Sequence, residues 1–443
     1  KQRKKNWIKI FALTAFSTQM YAQKNLTIDE AVSYALENNV NVKKAKIDQT
    51  IAQQKVKETV GIGLPQVNGQ VRYLNGENQV QLVDVSNFNN TFPKGTIVPL
   101  NFGLPHNFNA GLSVTQLLFN GSYIVGLESA KTYRETASLI EEKTEISIKE
   151  AVMMMYAGIL ATEENIKTLE ENKRVLEKNL NDTRQVYKTG LTELQSVEQL
   201  EYSYKNLSTV IDNLKRTKDK LNVGLKYLIG YPLEEKLVLS SSFDEVLDKN
   251  KKLITRESYD FSNHIDLKLK QNQVRINQLL LKLEKSKALP SLAAFFNPSY
   301  VSGGYDFKPF SSDWFYSSNF GIQIDIPVFS GLQRHWKTEQ AKLNLVKAQL
   351  DKEDAEKQLQ SEYYQKATDY ENALASYNTA EDLVKLSSEI YRKQNVKFKE
   401  GLGTSFELSQ AENQLYEAQT KYYQAAIELI QAKVQLDKAK GIL

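Results

Sequence analysis

The stretch "FKEGLGTSFELSQAENQL", residues 398–415, reads as the end of one helix, a glycine turn and the start of another. Residues 187–204, "YKTGLTELQSVEQLEYSY", say nearly the same thing, and Gly190 and Gly401 lie 211 positions apart in a chain of 443. Beyond each turn the apolar residues recur every three and four positions. They are Val197, Leu200, Tyr204, Leu207, Ile211, Leu214 and Leu221 after the first turn. After the second they are Leu408, Ala411, Leu415, Ala418, Tyr422, Ala425, Leu429, Ala432 and Leu436. A sustained seven-residue repeat predicts left-handed coiled-coil packing, supplied here by the chain returning antiparallel on itself. The first six positions of each set keep the same 211-residue offset, so the chain repeats its packing register as well as its turn.

The duplication extends outward from the turns. "GLPQVNGQVRY" and then "NFNAGLSVTQLLFNG" precede the first long helical stretch, and "ALPSLAAFFNPSY" and then "SSNFGIQIDIPVFSG" precede the second. Phe108, Ala110, Leu112 and Val114 alternate with polar or small residues, as do Phe320, Ile322, Ile324 and Ile326, which is the period of a strand with one greasy face. Strands are predicted at about 66–74, 108–119, 292–300 and 317–328, with surface loops at roughly 74–107 and 301–316. From Gly121 to the first turn and from Gly331 to the second, about 70 residues run without proline, roughly 100 Å of helix. The organisation expected is one repeat over 23–230 and a second over 231–443.

Residues 1–22 read differently. Lys1, Arg3, Lys4, Lys5 and Lys9 lead into the apolar "IFALTAF" and then "STQMYA", the order of a secretory signal peptide. Without those five positive charges the formal charge falls from +4 to −1, so the basic balance belongs to the signal and a nucleic-acid-binding reading loses its support. The mean hydropathy of −0.47 and the lack of any run of eighteen apolar residues leave no transmembrane helix. With no cysteine, an exported chain has neither disulfides nor a thiol for lipid attachment.

Four amphipathic strands in an exported chain pose a physical problem. An open sheet in lipid leaves two edges of unpaired backbone groups, each costing several kcal/mol, so only a closed barrel is tolerable. Spanning barrels begin at about eight strands, so several chains must share one. Here the chain resembles the TolC-like outer-membrane efflux proteins. The resemblance rests on "LTIDEAVSYALENNVNVKKAK", on "LPQV" and "LPSL" entering strands, on "FNG" and "FSG" leaving them, and on the "YKTGL" and "FKEGLGT" tips, in that order and twice over. It implies a mainly α fold with a small β contribution: long antiparallel coiled-coil hairpins forming an α-barrel, and four strands per chain completing a trimeric twelve-stranded outer-membrane β-barrel. It also implies a homotrimer in the outer membrane of a Gram-negative bacterium, reaching into the periplasm. Its partners would be a periplasmic adaptor, an inner-membrane pump and outer-membrane lipid, with no nucleic acid, no cofactor, no metal and no catalytic residue. The function implied is a passive exit duct for efflux, with type I protein or peptide secretion as the alternative. An adaptor or a purely structural coiled coil is a remoter reading, which leaves the alternating strands unexplained.

On this reading Phe108, Leu112, Val114, Phe320, Ile322 and Ile324 face lipid, and Tyr187, Gly190, Leu191, Phe398, Gly401 and Leu402 form adaptor-docking tips. Relatives lock their tips with a tyrosine, an aspartate and an arginine; the matching positions here are Phe398, Ser196 and Gly403, which can form no such charge-assisted network. Glu407 and Gln410 match two acidic rings at the narrow end of relatives and are the gate candidates. Thr404-x-x-Glu407 is equally a capping box, and the two readings stand side by side. His106, His264 and His335 share no spacing and are read as surface residues, while Met153, Met154 and Met155 point about 100° apart on a helix and are read as packing. The aromatic run Tyr300, Tyr305, Phe307, Phe310, Trp314, Phe315 and Tyr316 flanks strands, where a membrane-interface girdle is expected.

Overall fold

The structure is a computed structural model that describes residues 24–76, 80–86, 92–101, 104–251, 259–308 and 313–443. The signal-peptide reading of 1–22, and Phe310, lie outside them. In chain order the elements are β1 (Lys24–Leu26), α1 (Ile28–Asn38), α2 (Val40–Gly61), β2 (Gln66–Asn75), β3 (Val80–Asp84), β4 (Ile97–Asn101), β5 (His106–Phe119), α3 (Gly121–Lys188), α4 (Leu194–Ile229) and β6 (Leu237–Leu239). They continue with α5 (Phe243–Asn250), α6 (Ile265–Ser286), β7 (Ser291–Gly304), β8 (Phe315–Asp325), α7 (Gln333–Lys399) and α8 (Ser405–Ala439). The fold is therefore mainly helical with amphipathic strands, and α3 and α7 run unbroken for 68 and 67 residues. No described helix is long and apolar enough to cross a membrane.

The chain forms two compact units that cut across the sequence repeats. The first comprises the chain up to Lys43, Thr144–Tyr259 and Ser361–Leu443, so it holds the C-terminal parts of α3 and α7 together with α4 and α8. Its heptad positions are where the periodicity put them. Leu200, Leu408, Leu429 and Leu436 are wholly buried, and Val197, Leu207 and Ile211 join Ile166, Leu169, Leu176 and Leu180 in one apolar cluster. Burial of this kind contributes roughly 1.5–3 kcal/mol per large side chain, which is why long helices of ordinary propensity hold together. Beside the hairpins, Thr27 and Glu30 close a capping box on α1. The short strands β1 and β6 pair in parallel from Lys24↔Leu237 to Leu26↔Leu239. Tyr156 ties this corner down: its buried hydroxyl donates to Leu26 O at 2.8 Å and accepts from the Ser241 N–H at 3.1 Å.

The second unit, Lys44–Lys143 and Asp260–Gln360, contains the main sheet. Its order is β2-β5-β7-β8, antiparallel throughout. The register sorts the side chains by face. Val67↔Val114, Val71↔Ala110, Val114↔Phe296, Phe296↔Phe320 and Ala294↔Ile322 share one face. Asn68↔Ser113, Arg72↔Asn109, Asn297↔Asn319 and Ala293↔Gln323 share the other. Alongside the sheet, α3 and α6 run antiparallel and are stitched by ion pairs one heptad apart: Glu128–Lys282 at 2.6 Å, Glu135–Arg275 at 3.1 Å and Glu142–Lys268 at 3.3 Å. Each is solvent-exposed and contributes little singly, but together they specify register.

Three expectations change here. The fourth strand was expected over 317–328; β8 runs Phe315–Asp325, ending two residues before Pro327, whose nitrogen has no hydrogen to donate to a ladder. The segment 74–107 is not loop alone, because β3 and β4 pair within it from Val80↔Asn101 to Asp84↔Ile97. Finally, α7 starts at Gln333, two residues after Gly331, with both Gly331 and Leu332 left-handed.

Candidate functional site

The two hairpin turns are built alike. Gly190 and Gly401 adopt φ of 77° and 71°, a left-handed conformation that glycine takes without the steric cost of a Cβ. The Gly190 N–H donates to Tyr187 O and the Leu191 N–H to Val186 O, while Gly401 N–H donates to Phe398 O and Leu402 N–H to Lys397 O. These are the two bonds of a Schellman-type helix end, repeated at the same 211-residue offset. The consequence is that Leu191 and Leu402 are thrust outward, each 81% exposed. Tyr187 is exposed beside them, whereas Phe398 packs on the apolar cluster.

The starts of the following helices differ. Thr404 caps α8 in a full capping box: its N–H donates to Glu407 Oε2 at 3.0 Å, and the Glu407 N–H donates to Thr404 Oγ1 at 3.2 Å. The Thr404 N–H holds the Glu407 carboxyl below the usual carboxylate range, so this exposed group is anionic at neutral pH. Gln410 is exposed one turn further on. In the first copy the N-cap is Glu193, which makes no side-chain cap bond. Ser196 and Ser405 meet across the two tips at 3.2 Å, so one position matched to the relatives' charged lock makes a neutral hydrogen bond instead. A cleft of about 950 Å³ opens between the tips, lined by Val186, Leu191, Ser196, Phe398 and Phe406 among others.

The second candidate surface is the apolar face of the sheet. Phe320, Ile322 and Ile324 are exposed on β8, with Phe320 at 82%; Leu112 is half exposed and Val114 less so. Phe108 departs from expectation. It lies on this face, opposite Tyr73 and Ser302, yet it is only 8% exposed. The rings of Tyr73, Phe307 and Trp314 cover it, with centroids at 4.9, 5.6 and 6.4 Å. Tyr300 and Tyr316, opposed across β7 and β8, keep their rings 5.4 Å apart. The surface reading of the histidines also fails at one position: His264 is buried as the N-cap of α6, accepting the Asp266 N–H at 3.2 Å. His106 Nδ1 is 2.8 Å from the Tyr73 hydroxyl. Among the described residues no group of three or more His, Asp or Glu side chains is placed to hold a metal. Sequence reading passed over Glu412, which is fully buried between the hairpin helices.

A family model described as outer membrane efflux protein matches residues 31–208 and 263–441, one segment in each half and well over half of the chain together. The chain belongs to the outer membrane efflux protein family. Among curated relatives of this family, the outer membrane protein TolC of Vibrio cholerae is 21% identical over 260 residues, which cover 56% of this chain and 57% of TolC. Two solved structures show the same fold. The outer membrane protein VceC of Vibrio cholerae superposes with a TM-score of 0.69 at 16% identity, over 94% of this chain and 96% of VceC. The open state of the Neisseria gonorrhoeae MtrE outer membrane channel gives a TM-score of 0.70 at 17% identity, over 94% of this chain and 88% of MtrE.

Proposed function

We propose that this outer membrane efflux family protein is the exit duct of a tripartite export system: a homotrimeric channel in the outer membrane that conducts solutes passively, driven by an inner-membrane pump through a periplasmic adaptor. The observation that carries the reading is the sheet. It presents an exposed apolar face, and among the described residues its outer strands β2 and β8 each have one partner in the sheet. In lipid such a sheet is stable only if those edges pair with other copies. Three copies give twelve strands, within the range of spanning barrels. Phe320, Ile322, Ile324, Leu112 and Val114 then meet acyl chains, while Asn68, Asn319 and Gln323 line the lumen. Leu191 and Leu402, with Tyr187 and Phe398 behind them, dock the adaptor. Glu407 contributes an anionic ring at the periplasmic entrance while also capping α8, with Gln410 a neutral second ring.

The absence of cysteine from the sequence makes the test clean. One cysteine placed on β2 and one on β8 should cross-link folded protein in outer-membrane vesicles into dimers and closed trimers, and purified trimers should conduct in planar bilayers. Monomers alone after oxidation, or quantitative release of the protein by a salt wash, would overturn the reading.

A further inference from the structure

The internal repeat supplies its own control for one residue. Glu201 on α4 and Glu412 on α8 are counterparts at the 211-residue offset. Glu201 is half exposed and has two cationic partners: Arg184 across the hairpin at 3.2 Å and Lys205 one turn on at 3.0 Å. Lys205 and then Arg184 lower its carboxyl below the usual range. In the second copy the carboxylate is kept and both cations are gone, because the positions of Arg184 and Lys205 are taken by Asn395 and Tyr416. Glu412 is 0% exposed and neither of its oxygens has a hydrogen-bond partner among the described residues.

The groups around it are neutral. From α7 comes Tyr391 and from α8 Tyr416, both raised by burial first and by Glu412 second, Tyr391 to about 12. From α3 comes Asn179, which donates to Asn395 Oδ1 at 3.2 Å and bonds Tyr391. From α4 comes Ser203, bonded to Ser409 at 3.0 Å one turn before Glu412. No lysine or arginine of these helices pairs with the carboxylate among the described residues. An ionised carboxylate in such a site costs several kcal/mol, and the group responds by holding its proton. Burial accordingly pushes Glu412 up to about 8.

We propose that Glu412 is a proton switch for the second hairpin: protonated, it lets the tip-proximal half of α8 pack against α3, α4 and α7; ionised, it drives that half of α8 open, while the cation-paired first hairpin stays put. The sign follows from the folded group holding its proton more tightly than the unfolded one. The packed state is fully favoured below the ordinary glutamate range, loses stability as pH rises through about 8, and levels off above. The consequence for conduction, an entrance loosened on one hairpin per chain at alkaline pH, rests on the channel reading above. The switch itself does not.

Hydrogen exchange on the purified, intact protein tests it, read as protection factors corrected for the chemical exchange rate between pH 5 and 9. Amides of Leu408–Tyr416 should lose protection by about tenfold for each unit by which burial raises the carboxyl, while the counterpart Val197–Lys205 stays flat. Glu412→Gln should flatten the α8 profile, and so should Asn395→Arg, which restores the first copy's cation. A flat wild-type profile, or a pH dependence that survives Glu412→Gln, would overturn the switch; if Glu412→Gln does not fold, the wild-type and Asn395→Arg profiles decide. Absence of conductance in bilayers with the exchange profile intact would count against the duct and leave the switch standing.

Discussion

Phe320→Arg separates a membrane-facing sheet from a solvated one. Phe320 sits at the centre of β8, opposite Phe296, and is 82% exposed within the chain. If the apolar face meets water, an exposed substitution there changes stability by no more than about 0.5 kcal/mol. If it meets acyl chains at mid-depth, an arginine costs about 2–4 kcal/mol per chain. Against a water-facing site the difference is about 10- to 400-fold in a folding equilibrium. The matched control is Asn319→Arg, one residue back and on the opposite face, where the loss is a single exposed hydrogen bond from the Asn297 amide at 3.0 Å. Urea titrations of protein folded into phospholipid vesicles give both free energies. Phe320→Arg should shift the transition strongly and Asn319→Arg little, and the contrast should vanish in detergent-free buffer with the isolated chain. Equal shifts for the two variants in vesicles would refute the assignment of faces and, with it, the strand-closure argument for oligomerisation.

Other outcomes follow from the tips and the core. Leu191→Asp combined with Leu402→Asp should abolish binding of the cognate adaptor in pull-downs while cross-linked trimers persist; retained binding removes the docking role. Glu407→Gln keeps a capping group but not the charge, so cation selectivity in single-channel recordings should fall; unchanged selectivity leaves the residue as a cap alone. Because Glu407 is held below the ordinary carboxylate range by the Thr404 N–H, its capping contribution is present above that range and is lost as pH falls through its folded value, which hydrogen exchange at the start of α8 can follow. Tyr156→Phe leaves the Ser241 N–H without its hydroxyl partner, while Leu26 O keeps the Ser240 N–H at 3.0 Å, so the expected loss is about 1–3 kcal/mol, visible as a lowered Tm. Leu200→Ala, which empties a wholly buried heptad position, should cost about 2–5 kcal/mol by denaturant unfolding.

Features written in short-range periodicity were legible in the sequence, and features set by distant partners were not. The tips announce themselves because a left-handed glycine and a heptad are local, so Gly190, Gly401, Leu200 and Leu408 all sit where spacing put them. The apolar face of β8 was equally plain, since alternation needs only one strand. By contrast, the parallel pairing of Lys24–Leu26 with Leu237–Leu239 joins residues more than 200 positions apart, and neither segment is long enough to show a period. The division into compact units was hidden for a related reason: α3 and α7 each give one part to either unit, so a boundary drawn along the chain cannot coincide with one drawn in space. Phe108 obeys the alternation and still escapes exposure, because Tyr73, Phe307 and Trp314 cover it from other strands and loops. Glu412 lies between these cases. Alone in "SQAENQL" it looks like a solvated charge, and nothing local contradicts that. Laid over its counterpart in the first copy, the same letters show a glutamate that kept its place while Arg184 became Asn395 and Lys205 became Tyr416. A duplicated chain thus carries a comparison within itself, and the positions where one copy drops the partners of a charge are where burial without compensation should be sought.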